Sequence, residues 1–270
     1  LVGESGSGKT TMILALLRMI KTPGFIAGGR AVFDDGTDLL ALSADEVREN
    51  RLRRVAMVPQ GAMNSLNPVM RIGEQIMLTM REHGEEVDTL EAHVAQLLDQ
   101  VGLRAEVARL YPHELSGGMK QRACIAQAIS LGPRLILADE PTSALDVVVQ
   151  RQIMQTLRQL QLQLDATVLL VGHDMGLMAQ FSERVGIMYG GKLVEVGTVA
   201  DVFRNPQHPY TQLLISSIPS FERRGTFKGI PGVGLSLLDP PSGCLFHPRC
   251  PQAMERCSVD EPGFTHLGPG

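Results

Sequence analysis

The chain has 270 residues, 44% of them hydrophobic and 20% charged, with a formal net charge of -4 at pH 7. That length accommodates one sizeable domain with an appendage or two small domains, in the compositional range of globular α/β proteins rather than disordered or fibrous ones. The negative balance argues against a protein whose main task is gripping nucleic acid, and no apolar run approaches the roughly 20 residues of a membrane-spanning helix.

Leu1 and Val2 run straight into a glycine-rich loop, with no basic start or cleavage site, so they do not form a signal peptide. They read as the end of a strand whose upstream part is missing, and the chain is expected to be a fragment. From Lys9 to Ile20 the apolar residues Ile13, Leu16, Leu17 and Ile20 recur at helical spacing, so an amphipathic helix opens directly out of the loop. Residues 25 to 58 mix strand-like pieces, Arg30 to Phe33 and Val55 to Pro59, with a turn at Asp34-Asp35-Gly36, and predict a small sheet followed by a loop. Helical periodicity then runs from about Ile72 to Leu110, with Gly102 placed as a helix C-cap. A further helix follows Ser116-Gly117-Gly118 to about Leu131. Next come an apolar strand, Leu135 to Ala138, a helix over 147 to 164, and a strand, Thr167 to Gly172. Apolar strands alternating with amphipathic helices predict a parallel sheet covered on both faces. Beyond Asn205 proline and glycine become dense and periodicity fades.

Gly3-Glu4-Ser5-Gly6-Ser7-Gly8-Lys9-Thr10 fits G-x-x-x-x-G-K-[ST], where small residues let backbone N–H groups curl around phosphates at a helix N-terminus. Lys9 is placed to reach the β and γ phosphates, and Thr10 to put its hydroxyl on Mg²⁺, with Thr11 beside it in the first turn. Such a loop needs a second metal-binding carboxylate and a group that polarises water. Asp139 and Glu140, at the tip of the apolar strand, supply them in that order. Leu115-Ser116-Gly117-Gly118-Met119, taken alone, reads as Ser116 capping a helix beside two turn glycines.

The order of these elements resembles the ATP-binding-cassette (ABC) ATPase family, whose LSGGQ signature lies between the phosphate loop and the acidic strand tip. The resemblance covers residues 1 to 200 and departs at Met119, which stands where the signature has Gln. It implies an α/β P-loop NTPase fold with a RecA-like parallel core, a helical signature subdomain inserted over about 65–131, and a cassette domain spanning 1–204. It also implies ATP and Mg²⁺ as cofactors. Gln60 then falls at the Q-loop, linking Mg²⁺ and water to a membrane partner. Ser143-Ala144-Leu145-Asp146 is the D-loop, with Asp146 at the nucleotide interface, and His173 is the γ-phosphate-sensing histidine. Because family members pair head to tail, Ser116, Gly117 and Gly118 are expected to complete the site of a second ATPase subunit, identical or paralogous. A soluble ABC ATPase acting on DNA or ribosomes would need heptads or a second motif set, which the chain lacks, and a small-molecule P-loop kinase would not explain the signature.

Pro59 to Pro68, with Tyr111-Pro112-His113-Glu114, His208-Pro209-Tyr210-Thr211 and Ile218-Pro219, looks like the oligopeptide and dipeptide import branch, though nickel importers share much of it. The branch implies separate permease subunits, a solute-binding protein, a peripheral place on the cytoplasmic face of the membrane, and a C-terminal extension over 205–270. In that extension Cys244, Cys250 and Cys257 form C-x5-C-x6-C. Thiolates at loop spacing suggest an iron–sulfur or zinc site, to which His247 could contribute, whereas Cys124 reads as a core thiol. Some members of the branch carry a four-iron cluster here, and its fourth ligand is expected beyond Gly270.

Overall fold

The computed structural model describes residues 1–61, 64–85, 90–218 and 229–267; Ala62, Met63 and Pro219, from the motifs above, lie outside them, as do residues 86–89 of the expected helical stretch and the chain end at 268–270. The chain divides into a central unit, Thr10–Val171, and a terminal unit made of both ends, Leu1–Lys9 with Gly172–Gly270.

Helix α1 (Lys9–Leu16) opens at the glycine loop as expected but stops short of Ile20. Arg18 takes a left-handed φ of 54°, and the Met19 N–H reaches back to the Leu14 carbonyl at 2.8 Å, closing the helix by the αL route usually served by glycine. The Arg51 guanidinium then satisfies the freed carbonyls, donating to Leu17 at 2.9 Å and to Arg18 at 3.2 Å. Arg30–Phe33 does not form the expected strand. The turn at Gly36 (φ 86°) leaves only an isolated bridge between Val32 and Asp38. Instead of a sheet, this stretch carries helix α2 (Ala44–Asn50), where the Ser43 hydroxyl caps Glu46 and the Glu46 carboxylate returns to the Ser43 N–H, a reciprocal capping box.

Strand β1 (Val55–Val58) leads to helices α3 (Ile72–Arg81) and α4 (Leu90–Gln100) and a short 3₁₀ turn at Ala105–Arg109, within the mainly helical stretch expected from Ile72 to Leu110. Gly102 takes φ 71° just past α4, as its C-cap reading required. Helix α5 (Gly117–Ala128), strand β2 (Leu135–Asp139), helix α6 (Val147–Gln163) and strand β3 (Thr167–Val171) complete the unit. The strands pair in parallel in the order β1-β2-β3, with Val55 opposite Leu135 and Asp139 opposite Val171. Ile136, Leu137 and Ala138 are wholly buried, the signature of a parallel strand covered on both faces.

In the terminal unit Val2 bridges in parallel to both Gly172 and Ile187, so the residues before the glycine loop are strand-like as expected. Helix α7 (Met175–Phe181) precedes strands β4 (Arg184–Tyr189) and β5 (Lys192–Thr198), an antiparallel pair. Gly190 and Gly191, both at positive φ, turn that hairpin. Helix α8 (Val199–Arg204) follows, and order persists past Asn205 as helix α9 (Pro209–Ser216). In α9 the His208 imidazole accepts from the Tyr210 N–H and Pro209 takes the first turn, where its missing N–H costs nothing. The buried Glu195 carboxylate holds the approach by accepting from the Gln207 and His208 N–H groups at 2.9 and 3.0 Å. Tyr210 is thereby driven into a core of Tyr189, Tyr210 and Phe246 with ring centroids 4.7 to 5.3 Å apart.

Candidate nucleotide site

The glycines of the loop are required by space and by backbone angle. A Cβ on Gly3 would lie 2.2 Å from the Met188 carbonyl oxygen. Gly6 and Gly8 take φ of 80° and 96°, which side chains rarely adopt. Ser5 and Gly6 form an exposed crest, while Ser7 and Lys9 are buried beneath it. The Lys9 ammonium is held inside the loop, donating to the carbonyls of Gly3 and Glu4 at 2.8 Å each and to the Ser7 hydroxyl at 3.3 Å. A buried cation ringed by small residues at the start of a helix fits a polyphosphate, since the ammonium and the helix N-terminus both favour an anion there.

Two residues that carried no role in the sequence reading hold this loop. Tyr210 accepts the Glu4 N–H at 2.9 Å, and Arg249 engages the Glu4 carboxylate with both guanidinium nitrogens, at 2.7 and 3.0 Å. Tyr210 belongs to the His208-Pro209-Tyr210-Thr211 motif and Arg249 directly precedes Cys250, but separations of 206 and 245 residues from Glu4 leave no local pattern that would join them.

In the central unit, Thr10 and Thr11 stand exposed on the first turn of α1. Asp139 ends β2 with 1% exposure, and the chain turns sharply after it. Glu140 takes φ 43° and Ala144 φ 62°, both strained for residues with a side chain, and the Glu140 N–H donates to the Val171 carbonyl at 2.9 Å. The structure brings Gln60 and Glu140 together: the Gln60 amide donates to Glu140 Oε2 at 3.0 Å. Gln60 comes from the end of β1 and Glu140 from the end of β2, so the parallel sheet accounts for a meeting across 80 residues.

Ser116 caps α5, its hydroxyl accepting the Met119 N–H at 3.4 Å, with Gly117 and Gly118 in the first turn. A Cβ on Gly118 would lie 2.8 Å from the Val149 side chain, so the signature glycine lets α5 approach α6 closely. Asp146 caps α6 by accepting the Val148 and Val149 N–H groups at 3.0 Å. His173, in the terminal unit, is exposed immediately before α7.

The tail thiols are free and half-buried. The Cys244 N–H bonds the Cys257 carbonyl at 2.9 Å, while the N–H groups of Gln252 and Met254 point at the sulfurs of Cys250 and Cys257 at 3.4 and 3.5 Å. Burial pushes the Cys250 thiol up, and the neighbouring Cys244 and Cys257 act in the same direction. Among the described residues, no three His, Cys, Asp or Glu side chains are gathered to hold a metal ion. His247 directs Nδ1 to the Cys244 carbonyl at 2.9 Å. Cys124 is buried in α5, and burial raises its thiol to about 11, as suits a core residue.

Residues 1–143 match the family described as ABC transporter, and residues 194–257 the oligopeptide/dipeptide transporter C-terminal region. The chain is 43% identical over 272 residues to the dipeptide transport ATP-binding protein DppD of Haemophilus influenzae, a match covering 99% of this chain and 82% of that protein. It is 42% identical to DppD of Escherichia coli, covering 100% and 84%, and 44% identical to a putative peptide import ATP-binding protein of Brucella ovis, covering 99% and 83%. A solved dimeric structure of the ATP-binding cassette MJ0796, in a post-hydrolysis state bound to ADP and Pi, is 28% identical with a TM-score of 0.63, over 73% of this chain and 83% of that one.

Proposed function

Because this chain belongs to the ABC transporter family, we propose that it is the ATP-hydrolysing subunit of an importer for di- and oligopeptides. The cassette is taken as residues 1–204 and the importer-specific extension as 205–270. Among the described residues no helix is long and apolar enough to cross a membrane, so the pathway for the solute is assigned to separate permease subunits. The protein works against their cytoplasmic face, with a second ATPase subunit and a solute-binding protein that delivers peptide.

The observation that carries the reading is the hydrogen bond from Gln60 to Glu140, supported by the buried Lys9 ammonium inside its glycine loop. Lys9 and those N–H groups of the loop and first helical turn that are not tied within the protein, as Glu4 and Ser7 are, bind the phosphates. The Thr10 hydroxyl, Asp139 and Gln60 are the ligands assigned to Mg²⁺, which when bound neutralises charge developing on the leaving group. Glu140 takes the proton of the attacking water, and Gln60 holds that carboxylate in place. His173 senses the γ phosphate. Ser116, Gly117 and Gly118 present a helix N-terminus to the nucleotide of the partner subunit, with Asp146 shaping the same interface. Nucleotide thus joins the two subunits, and hydrolysis releases them.

For Cys244, Cys250 and Cys257 we propose a thiolate metal site, a four-iron cluster or zinc, on the strength of their spacing and of the two N–H groups directed at sulfur. The described residues do not hold these ligands in a metal-binding arrangement, so no step of hydrolysis is assigned to the site. Anaerobically purified protein should carry iron and acid-labile sulfide; stoichiometric zinc in their place overturns the cluster reading, and the absence of both metals overturns the site.

The transport reading is tested by reconstituting the subunit with its permeases and solute-binding protein. Di- and oligopeptides should stimulate ATP hydrolysis several-fold. Stimulation by nickel and not by peptides would reassign the solute and leave the ATPase intact.

A further inference from the structure

A carboxylate inside a loop that binds phosphates sets like charge beside like charge, which weakens binding at the short separations of such a loop. Glu4 is that carboxylate. In the terminal unit its charge is answered by Arg249, whose Nη1 donates to Oε2 at 2.7 Å and Nη2 to Oε1 at 3.0 Å, the bidentate fork that guanidinium forms with carboxylates. The Arg249 side chain is only 7% exposed and is itself fixed: Nε donates to the Pro231 carbonyl at 2.8 Å, and Nη1 also reaches the Tyr189 hydroxyl at 3.4 Å.

The rest of Glu4 is equally constrained. Its N–H goes to the fully buried Tyr210 hydroxyl and its carbonyl accepts from the Lys9 ammonium, so side chain, N–H and C=O each have a partner. Burial raises the Tyr210 hydroxyl to about 12, which keeps this oxygen protonated at any physiological pH. Arg249 is carried on the 3₁₀ turn His247–Arg249, between Cys244 and Cys250, and the Cys244 N–H ties that turn to the Cys257 carbonyl.

We propose that Arg249 is a built-in counter-ion of the phosphate loop: it neutralises Glu4 and, with Tyr210, fixes the loop in the form that accepts a nucleotide polyphosphate. The C-terminal extension is then part of the nucleotide site as well as an importer-specific appendage. Arg249 is a positioning residue and touches no reacting atom. The proposal rests on the nucleotide reading of the loop.

The test is calorimetric titration of the full chain with MgATP and MgADP. Arg249→Met leaves the Glu4 charge unanswered and should weaken MgATP about tenfold, and MgADP, with less charge, by less. Replacing Glu4 by Gln in that background should restore affinity to within about twofold of Glu4→Gln alone, which loss of packing would not allow. If Arg249→Met does not fold by circular dichroism, Arg249→Lys decides, with a smaller loss again relieved by Glu4→Gln. Unchanged affinity in the folded arginine variant, or a loss that Glu4→Gln does not relieve, overturns the proposal. A wild-type chain that binds no MgATP overturns the nucleotide reading itself, and the two failures are thereby told apart.

Discussion

Two glutamates, one in each unit, are held by partners of different chemistry. Glu4 in the terminal unit is locked in a bidentate ion pair with Arg249, its charge cancelled and its backbone fixed. Glu140 in the central unit sits on a strained turn and accepts the amide of Gln60. A buried guanidinium meets one carboxylate and a side-chain amide meets the other. The difference lies in the partner, and neither partner is near in sequence.

Substitutions sharpen that contrast unequally. Lys9→Ala removes the buried ammonium and should reduce MgATP affinity about a hundredfold by titration, because a charge-assisted bond to phosphate and the loop's internal tie are lost together. Gly3→Ala should destabilise the protein by about 2 kcal/mol in denaturant unfolding, since its Cβ would press on the Met188 carbonyl and only backbone movement can relieve that. If Gly3→Ala left stability unchanged, the loop would be more adaptable than a clamped Glu4 implies. Gln60→Ala should lower turnover about tenfold and weaken MgATP less than Lys9→Ala does, since Gln60 both aims Glu140 and is one of three groups assigned to Mg²⁺.

The smallest effect belongs to a surface network. The Thr37 N–H, first, and then the Thr37 hydroxyl and Arg54 hold the Asp35 carboxyl down to about 2, beside Arg134 and the Phe33 ring. A carboxyl depressed on folding adds stability that is complete above its ordinary value near 4 and is lost as pH falls from there towards 2. Urea unfolding should therefore show a slightly greater loss between pH 5 and pH 3 for the wild type than for Asp35→Asn.

What the sequence made legible was whatever is local. The glycine loop, the acidic tip of β2 and the cap reading of Ser116 are short patterns, and each lies where its pattern put it; that Asp146 also caps α6 was not read. The capping box at Ser43 and Glu46 was equally local but sat in a stretch without apolar periodicity, so α2 went unread. The early end of α1 was hidden because Arg18, rather than glycine, takes the left-handed position. Arg249 and Tyr210 were visible as motif letters yet silent as partners of Glu4, since contacts spanning more than 200 residues are set by tertiary packing.

The central claim is that this chain hydrolyses ATP through Glu140, and single-turnover phosphate release with MgATP binding measured on the same sample, assembled with its partners, tests it most directly. Glu140→Gln should retain MgATP and hold the paired state while phosphate release falls about a hundredfold or more. Release at the wild-type rate from a variant that binds MgATP normally would contradict the role of Glu140.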